Sequence, residues 1–535
     1  MIEREASLEA VLKQEEFDLL VIGAGIVGAN IAQIASLMGK NVLIIDKGDF
    51  ASGSSSKNSP MLRSGIPTID ELKLPHSKKA QQDKERLKLM LPHLLKDESF
   101  VLPFSENKTF FNIKATIGLT AHEILSSSAL EKQNSLLSKK DLANLIPALS
   151  TNKVSGGLRF HEKLFDETRV VLSLLKSAAK QGAVLVNYLE AKGFELESGK
   201  IQKVHLHDRY SGRDLEIKCR FCINAAGVQA KQVAALAGEK IKEQNIIKRS
   251  YLVLKASAFE TNSALFLPGT DGRMVFILPY QHALLLGDCK SKFESEDLDN
   301  PQPEAEEIDY LLSAVNNYTD SRKLSTKDIQ AAFSSLHLES ENKAQSQDCI
   351  IRSNSGLITV CGLKSANCRS LIEALLKEIF PGTKAIETDQ IIGWANKEDY
   401  IAESAAIEIR ARKLGLEPAS IKHLIANYAK EAEQVLDLIE KKVALKERIV
   451  AEFPPLYAEL PFALINEMAI SLQDFMMRRT RLAYLNQKLA MQAAEKTSFL
   501  MAEILGWDEQ RRKLEIEAMQ AQLFQISDMP KSKTL

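Results

Sequence analysis

The chain is poor in cysteine: six residues in 535, at positions 219, 222, 289, 349, 361 and 368. That number staples nothing of this size together and fits a reducing, cytoplasmic setting. No run of about 18 apolar residues occurs, so no segment is expected to span a bilayer as a helix, although peripheral contact with the inner face of a membrane needs no such run. The N-terminal stretch MIEREASLEAVLKQEEFD is charged and lacks an apolar run behind basic residues, so it does not read as a signal peptide. Charge of one sign is also missing: 69 Lys and Arg face 70 Asp and Glu, for a net charge of −1. This argues against nucleic acid as a partner. Glycine nearly vanishes after residue 388, surviving only as Gly393, Gly415 and Gly506, which predicts a helical domain over 395–535.

A chain of 535 residues implies two or three domains. The first strand signal is FDLLVI (17–22), followed by the turn GAGIVG, a helical stretch IAQIASLMGK and a second buried strand NVLIID. Gly23, Gly25 and Gly28, with Ala24 and Ile26 between them, form GxGxxG between strand and helix. Such a turn lets backbone approach a pyrophosphate at a helix N-terminus. Asp46 ends the second strand 18 residues after Gly28, placed to accept from ribose hydroxyls, with Lys47 next to it. The stretch DFASGSSSKNS (49–59) follows within a few residues and offers small side chains and short donors beside the same cofactor. Residues 73–150 show helical spacing broken at Pro92, Pro103 and Pro147, and strand signals dominate 184–292. GLITVCG (356–362) reads as one more buried strand.

GAGIVGAN followed by DKGDFASGSSS resembles the FAD-dependent glycerol-3-phosphate dehydrogenases, and so do INAAG (223–227), TDGRMVFILPY (270–280), SGLITVCG (355–362) and, in the tail, LQDFMMRRTRLAYL and MAEILGWDEQRR. The resemblance implies an α/β fold: a three-layer Rossmann-like FAD domain (1–75, 151–240 and 345–385), an antiparallel-sheet substrate or cap domain (76–150 and 241–344) and an all-α C-terminal domain (395–535). It implies that Gly23, Ala24, Gly25, Ile26, Gly28, Asp46 and Lys47 hold the adenosine half of FAD. Ser52, Gly53, Ser54, Ser55, Ser56 and Ser59 would line its pyrophosphate and ring side, and Ala226, Gly227, Gly362 and Lys364 would approach it elsewhere. The implied reaction takes a hydride from C2 of glycerol 3-phosphate to flavin N5, giving dihydroxyacetone phosphate, and passes electrons to a quinone or other acceptor. A homodimer is compatible with this reading.

The substrate half departs from that pattern. Where the family carries K-L-I-H-G-G-L-R-Y, this chain reads PMLRSGIPT, with Arg63 for the His and Pro67 for the Arg. K-G-S-H becomes KRSY, ending in Tyr251; G-T-T-D-T becomes GDCKS, introducing Lys290. A-G-L-R-P-L becomes SSLHLE, with His337 for a phosphate-binding Arg, and a second Arg becomes Gln347. Of G-G-K-x-T-T-Y-R, Lys364 and Arg369 survive alongside Gly362. The expected anion site is therefore Arg63, Lys290 and Arg369, and the expected catalytic groups are Tyr251, His337 and Lys364. Histidine is a weaker phosphate grip than the always-charged, bidentate arginine. A different hydroxy substrate, such as a hydroxy acid, and a non-catalytic binding role are the alternatives. No metal site is expected: Cys219 and Cys222 lie three apart on a strand and face opposite ways, and His205 and His207 read as a strand face. Arg478, Arg479 and Arg481 read as salt-bridging residues of a tail helix, with Met476 and Met477 in its core.

Overall fold

The computed structural model describes residues 3–62, 78–105, 135–242, 245–269, 271–320, 322–339, 349–363, 368–383 and 397–524. Among these, the buried run FDLLVI forms the centre of a six-stranded sheet. Its strands are β1 (Phe17–Ile22), β2 (Val42–Ile45), β6 (Val184–Val186), β10 (Cys219–Asn224), β16 (Ile350–Arg352) and β17 (Leu357–Val360), in the order 16-17-10-1-2-6. All neighbours are parallel except β16 and β17. The helices Ile26–Leu37, Glu167–Lys180 and Arg369–Ile379 cover one face. The other face is covered by the N-terminal helix Arg4–Lys13 and a three-stranded sheet of β7 (Leu189–Glu197), β8 (Lys200–Asp208) and β9 (Asp214–Ile217). Helix and sheet on opposite faces explain why the parallel strands read as unbroken apolar runs.

An eight-stranded sheet follows: β3 (Lys96–Ser105), β4 (Ser135–Ser138), β5 (Val154–Leu164), β11 (Asn245–Lys255), β12 (Ala264–Pro268), β13 (Met274–Tyr280), β14 (Ala283–Lys292) and β15 (Ile329–Glu339), in the order 15-11-14-13-12-3-5-4. The helix Ala305–Asn316 packs on one face through Leu252, Leu254, Leu284 and Leu286. The opposite face, carrying Tyr251, Val253, Phe276, Leu285 and Phe333, packs against the C-terminal helices. β3 corrects the helical reading of 73–150: Phe100, Val101 and Leu102 are buried by pairing with β5, and tertiary pairing overrides helical spacing. The stretch LVNYLEAKGF (185–194), whose pattern reads as one strand, splits at Tyr188 (φ +54°) into strands of two different sheets.

The C-terminal region is helical apart from its connections, the longest of which, 447–458, is closed by a bridge between Arg448 and Leu456. It is tied to the nucleotide side by buried ion pairs. A π-helical turn, Asp474–Arg479, widens the helix so that two consecutive arginines reach one carboxylate. Arg479 grips Asp49 with two hydrogen bonds of 2.7 and 2.9 Å, and Arg478 adds a third. Behind them, Glu467 meets Arg169 at 2.9 Å, Lys176 at 3.1 Å and Arg479 at 3.4 Å. Burial opposes ionisation of both carboxyls. The surrounding cations outweigh it, holding Asp49 below the usual range and Glu467 down at about 2.

Replacing Asp49 with Asn leaves two buried guanidiniums under-compensated and is expected to cost about 3–5 kcal/mol, read as a lowered midpoint in urea or thermal melts. The contribution of Glu467 is complete above its ordinary value of 4.5 and is lost as pH falls toward about 2. Glu467→Gln is expected to flatten that acid limb of the stability profile, and an unchanged limb counts against the assignment.

Candidate active site

The carboxyl ends of β1, β2, β10 and β17 converge at one edge of the parallel sheet, the position at which open α/β sheets bind ligands. Gly23 follows β1 with φ +103°, and a Cβ there would lie 2.6 Å from the Ala225 carbonyl oxygen after β10. A Cβ on Gly28 would lie 1.8 Å from the Gly23 oxygen, so only glycine lets this helix sit on its strand. Asp46, at the end of β2, accepts from the Ala24 and Gly48 amides at 2.8 and 2.9 Å. Burial is the dominant influence on its carboxyl and pushes it up to about 6 despite those hydrogen bonds. Lys47 reaches across to Asp299 at 2.8 Å, and Asp299 also accepts from Gln229 in the turn that Gly227 opens. Ala226 donates its amide to Asn224, and Gly362 (φ +73°) lies two residues past the end of β17, near Cys349.

The serine segment folds over this turn. The Ala51 amide donates to the Ala24 carbonyl at 3.0 Å, and Ser55 Oγ accepts from the Ile26 amide at 3.1 Å, capping the helix from outside its own chain segment. Ser54–Ser56 form a 3₁₀ turn in which Ser55 and Ser56 are buried. Gly53 is exposed, and Ser52, Ser54 and Ser59 are half-buried at the rim. The hydroxyls of Ser52, Ser54 and Ser59 make no hydrogen bond among the described residues. Asp49, the residue that Arg478 and Arg479 hold, opens the segment.

The large sheet supplies the opposite wall. Tyr251 is 1% exposed and stacks on Phe333, with ring centroids 5.3 Å apart, and Phe333 meets Tyr484 of the tail at 5.2 Å. Along the same face, Arg249 lies across from Ser335 on one side and Lys290 on the other, and His337 stands one alternate position beyond Ser335. His337 shares a 2.9 Å hydrogen bond with Ser335, and Arg249 pairs with the buried Asp288 at 3.0 Å. The structure thus brings Tyr251, Lys290 and His337 onto one sheet face. Arg369 is not on it: it begins the helix Arg369–Ile379 and bonds Asn30 and Gln33 at 3.3 and 3.0 Å, fastening two helices of the nucleotide side. Arg63, Lys364, Pro67 and Gln347 lie outside the described residues.

The FAD dependent oxidoreductase family matches residues 18–367, and the C-terminal domain of alpha-glycerophosphate oxidase matches residues 389–512. The chain belongs to the FAD dependent oxidoreductase family. It is 26% identical over 535 residues to the aerobic glycerol-3-phosphate dehydrogenase of Bacillus subtilis, covering 96% of this chain and 95% of that one. It is 27% identical to the mitochondrial glycerol-3-phosphate dehydrogenase of Mus musculus, covering 96% of this chain and 74% of that one. The glycerol-3-phosphate dehydrogenase of Bacillus halodurans, solved with FAD, has the same fold: TM-score 0.81 at 22% identity, over 97% of each chain.

FAD is the cofactor of this family, and the residues present suit it: a glycine cradle that a Cβ would fill, a carboxylate at the end of β2 and a rim of unbonded hydroxyls. The tail arginines bear out the salt-bridge reading: Arg478 and Arg479 hold Asp49, and Arg481 stands 3.5 Å from Asp166. His205 and His207 pair with Glu216 and Asp214 on the three-stranded sheet. Sequence reasoning did not single out Arg249. Arg249 had a signal, since it stands at the glycine of K-G-S-H, beside a residue already singled out. Gly28→Ala is expected to push the helix Ile26–Leu37 off its strand and to yield protein that purifies with less than about a tenth of the wild-type flavin content, read from the visible absorbance.

Proposed function

We propose that the protein oxidises the secondary hydroxyl of glycerol 3-phosphate, or of a closely related phosphorylated polyol, and passes the electrons to a quinone or another acceptor. The observation that carries this reading is the row of Arg249, Lys290 and the His337 imidazole on the sheet face that also bears Tyr251. A doubly charged phosphate is costly to desolvate without cations, so such a row beside a flavin domain favours an anionic alcohol. The relatives' names, and the alpha-glycerophosphate oxidase description of the tail, point to the same substrate.

In this reading bound FAD supplies the hydride-accepting ring. Arg249 and Lys290 hold the anion, Arg249 itself being oriented by Asp288. His337, with one ring nitrogen on Ser335, takes the hydroxyl proton or assists the grip, and the buried Tyr251 closes the pocket against water. Asp46 accepts from the ribose of the adenosine half. No disulfide joins the six cysteines among the described residues, which supports a cytoplasmic protein reaching its acceptor at the inner face of the membrane. No helix among the described residues is long and apolar enough to cross a membrane.

Anaerobic addition of glycerol 3-phosphate to the FAD-loaded protein is expected to bleach the flavin band near ~450 nm. Bleaching by a hydroxy acid alone would replace the substrate. His337→Arg is expected to lower the half-bleaching concentration of glycerol 3-phosphate about tenfold, because a bidentate, permanently charged group replaces imidazole.

FAD affinity is expected to follow Asp46. Ribose hydroxyls favour the ionised carboxylate, so affinity is level above about pH 6 and falls below it by up to about tenfold per pH unit. Asp46→Asn removes that slope, which fluorescence titration of the apoprotein measures.

A further inference from the structure

Behind the sheet face that carries Arg249, Lys290 and His337, one buried carboxylate fastens the same three strands. Glu307, in the first turn of the helix Ala305–Asn316, is 5% exposed. Its Oε2 accepts from Ser250 Oγ of β11 and from the Glu304 amide, both at 2.8 Å, and stands 3.3 Å from Lys248 Nζ. Its Oε1 accepts from Ser291 Oγ of β14. Ser250 Oγ and Ser334 Oγ of β15 are 2.7 Å apart. A carboxylate only accepts, so the single Ser250 proton goes to Glu307, and Ser334 is the donor in the second bond. β15, β11 and β14, adjacent in the sheet, are thus tied to one group.

Strand alternation couples this network to the row on the other face. Lys248 and Ser250 flank Arg249, Ser291 follows Lys290, and Ser334 precedes Ser335, the hydrogen-bond partner of His337. Neighbouring residues of a strand point to opposite faces, so each network residue stands one position from a member of the row or from its partner. The register agrees: Lys248 lies opposite Ser291, Ser250 lies opposite Ser334, and Arg249 between them lies opposite both Lys290 and Ser335. The ladder from β11 to β14 is interrupted beside them, its register shifting between Ser250 and Leu252. Such an irregularity bends and twists a strand, so the ladder alone does not fix how these side chains stand.

Packing does not call for a carboxylate here. The helix already lies on Leu252, Leu254, Leu284 and Leu286, and apolar residues of similar volume stabilise at least as well as a buried ion pair. What the carboxylate adds is direction. We propose that Glu307 is a positioning residue for the anion grip. By drawing Ser250, Ser291 and, through Ser250, Ser334 to one point on the helix face, it sets the spacing of Arg249, Lys290 and His337 on the opposite face. The assignment rests on the reading of that row as the site of the substrate phosphate. Charge-assisted bonds to phosphate need donors at about 2.7–2.9 Å, so a grip shared by three strands depends on their spacing. Glu307 itself touches neither substrate nor flavin.

Rapid anaerobic mixing of the FAD-loaded, full-length protein with glycerol 3-phosphate yields a limiting bleaching rate and a half-saturating concentration. The double variant Ser250→Ala/Ser291→Ala removes two donors to Glu307 without stranding a charge. It is expected to raise the half-saturating concentration about tenfold and to leave the limiting rate and the flavin content within about threefold of wild type. The inhibition constant of inorganic phosphate, added as a competitor, is expected to rise by the same factor. Ser291→Thr keeps the hydroxyl and is expected to stay within about twofold of wild type. A lowered melting midpoint with the half-saturating concentration and the phosphate constant both unchanged overturns the assignment and leaves Glu307 a packing residue. A fall in limiting rate alone overturns it as well. A wild-type flavin that glycerol 3-phosphate does not bleach overturns the substrate reading and this assignment with it, and is told apart because it appears before any substitution is made.

Discussion

The structure turns on the carboxylate of Asp49. It is fully buried, opens the segment that wraps the glycine turn, and receives both Arg478 and Arg479 from the far end of the chain. Its ion pairs link to a second group in which Glu467 gathers Arg169, Lys176 and Arg479. Buried ion pairs add little net stability over apolar packing, because desolvation consumes most of the Coulomb gain. What they do is forbid alternatives. A buried carboxylate flanked by guanidiniums tolerates one arrangement of the three chain segments that supply it. The cofactor loop, the helix Glu167–Lys180 and the tail are therefore fixed relative to each other by charge, while the apolar core around them supplies the bulk of the driving force.

That arrangement explains how a site is made from segments hundreds of residues apart. The parallel sheet delivers backbone turns to one edge, and the large sheet delivers side chains to the facing wall. Tail residues such as Tyr484 and Phe524 fill the seam between them. The division of labour is chemical. Backbone amides and small hydroxyls suit the phosphates and ribose of a dinucleotide, whereas alternating positions on β11, β14 and β15 carry the side chains to which we assign the substrate anion.

The nucleotide half was legible because its constraints are local. GxGxxG lies between two apolar runs, and an acid ends the second of them within the same 30 residues. Gly23 and Gly28 are required by contacts with Ala225 and with each other, and the turn at Ala226 carried its own signature in INAAG. Local patterning could not reveal β3, whose ten residues are strand only because β5 and β12 lie beside them. Arg249 was hidden for a related reason: its importance comes from register with Ser335 and Lys290, which only strand pairing creates. Arg369 illustrates the opposite failure, since a residue kept from a family string serves helix packing through Asn30 and Gln33.

The reach of Arg478 and Arg479 into the first fifty residues also bears on how such a protein can change over evolutionary time. A nucleotide-binding half carrying Asp49 cannot be exchanged alone for a variant lacking it, nor can the tail be shed, without stranding charge in an interior that cannot hydrate it. The two halves are bound to travel together through inheritance, and a change in one is expected to be answered by a change in the other at these few positions rather than across the whole of their shared surface.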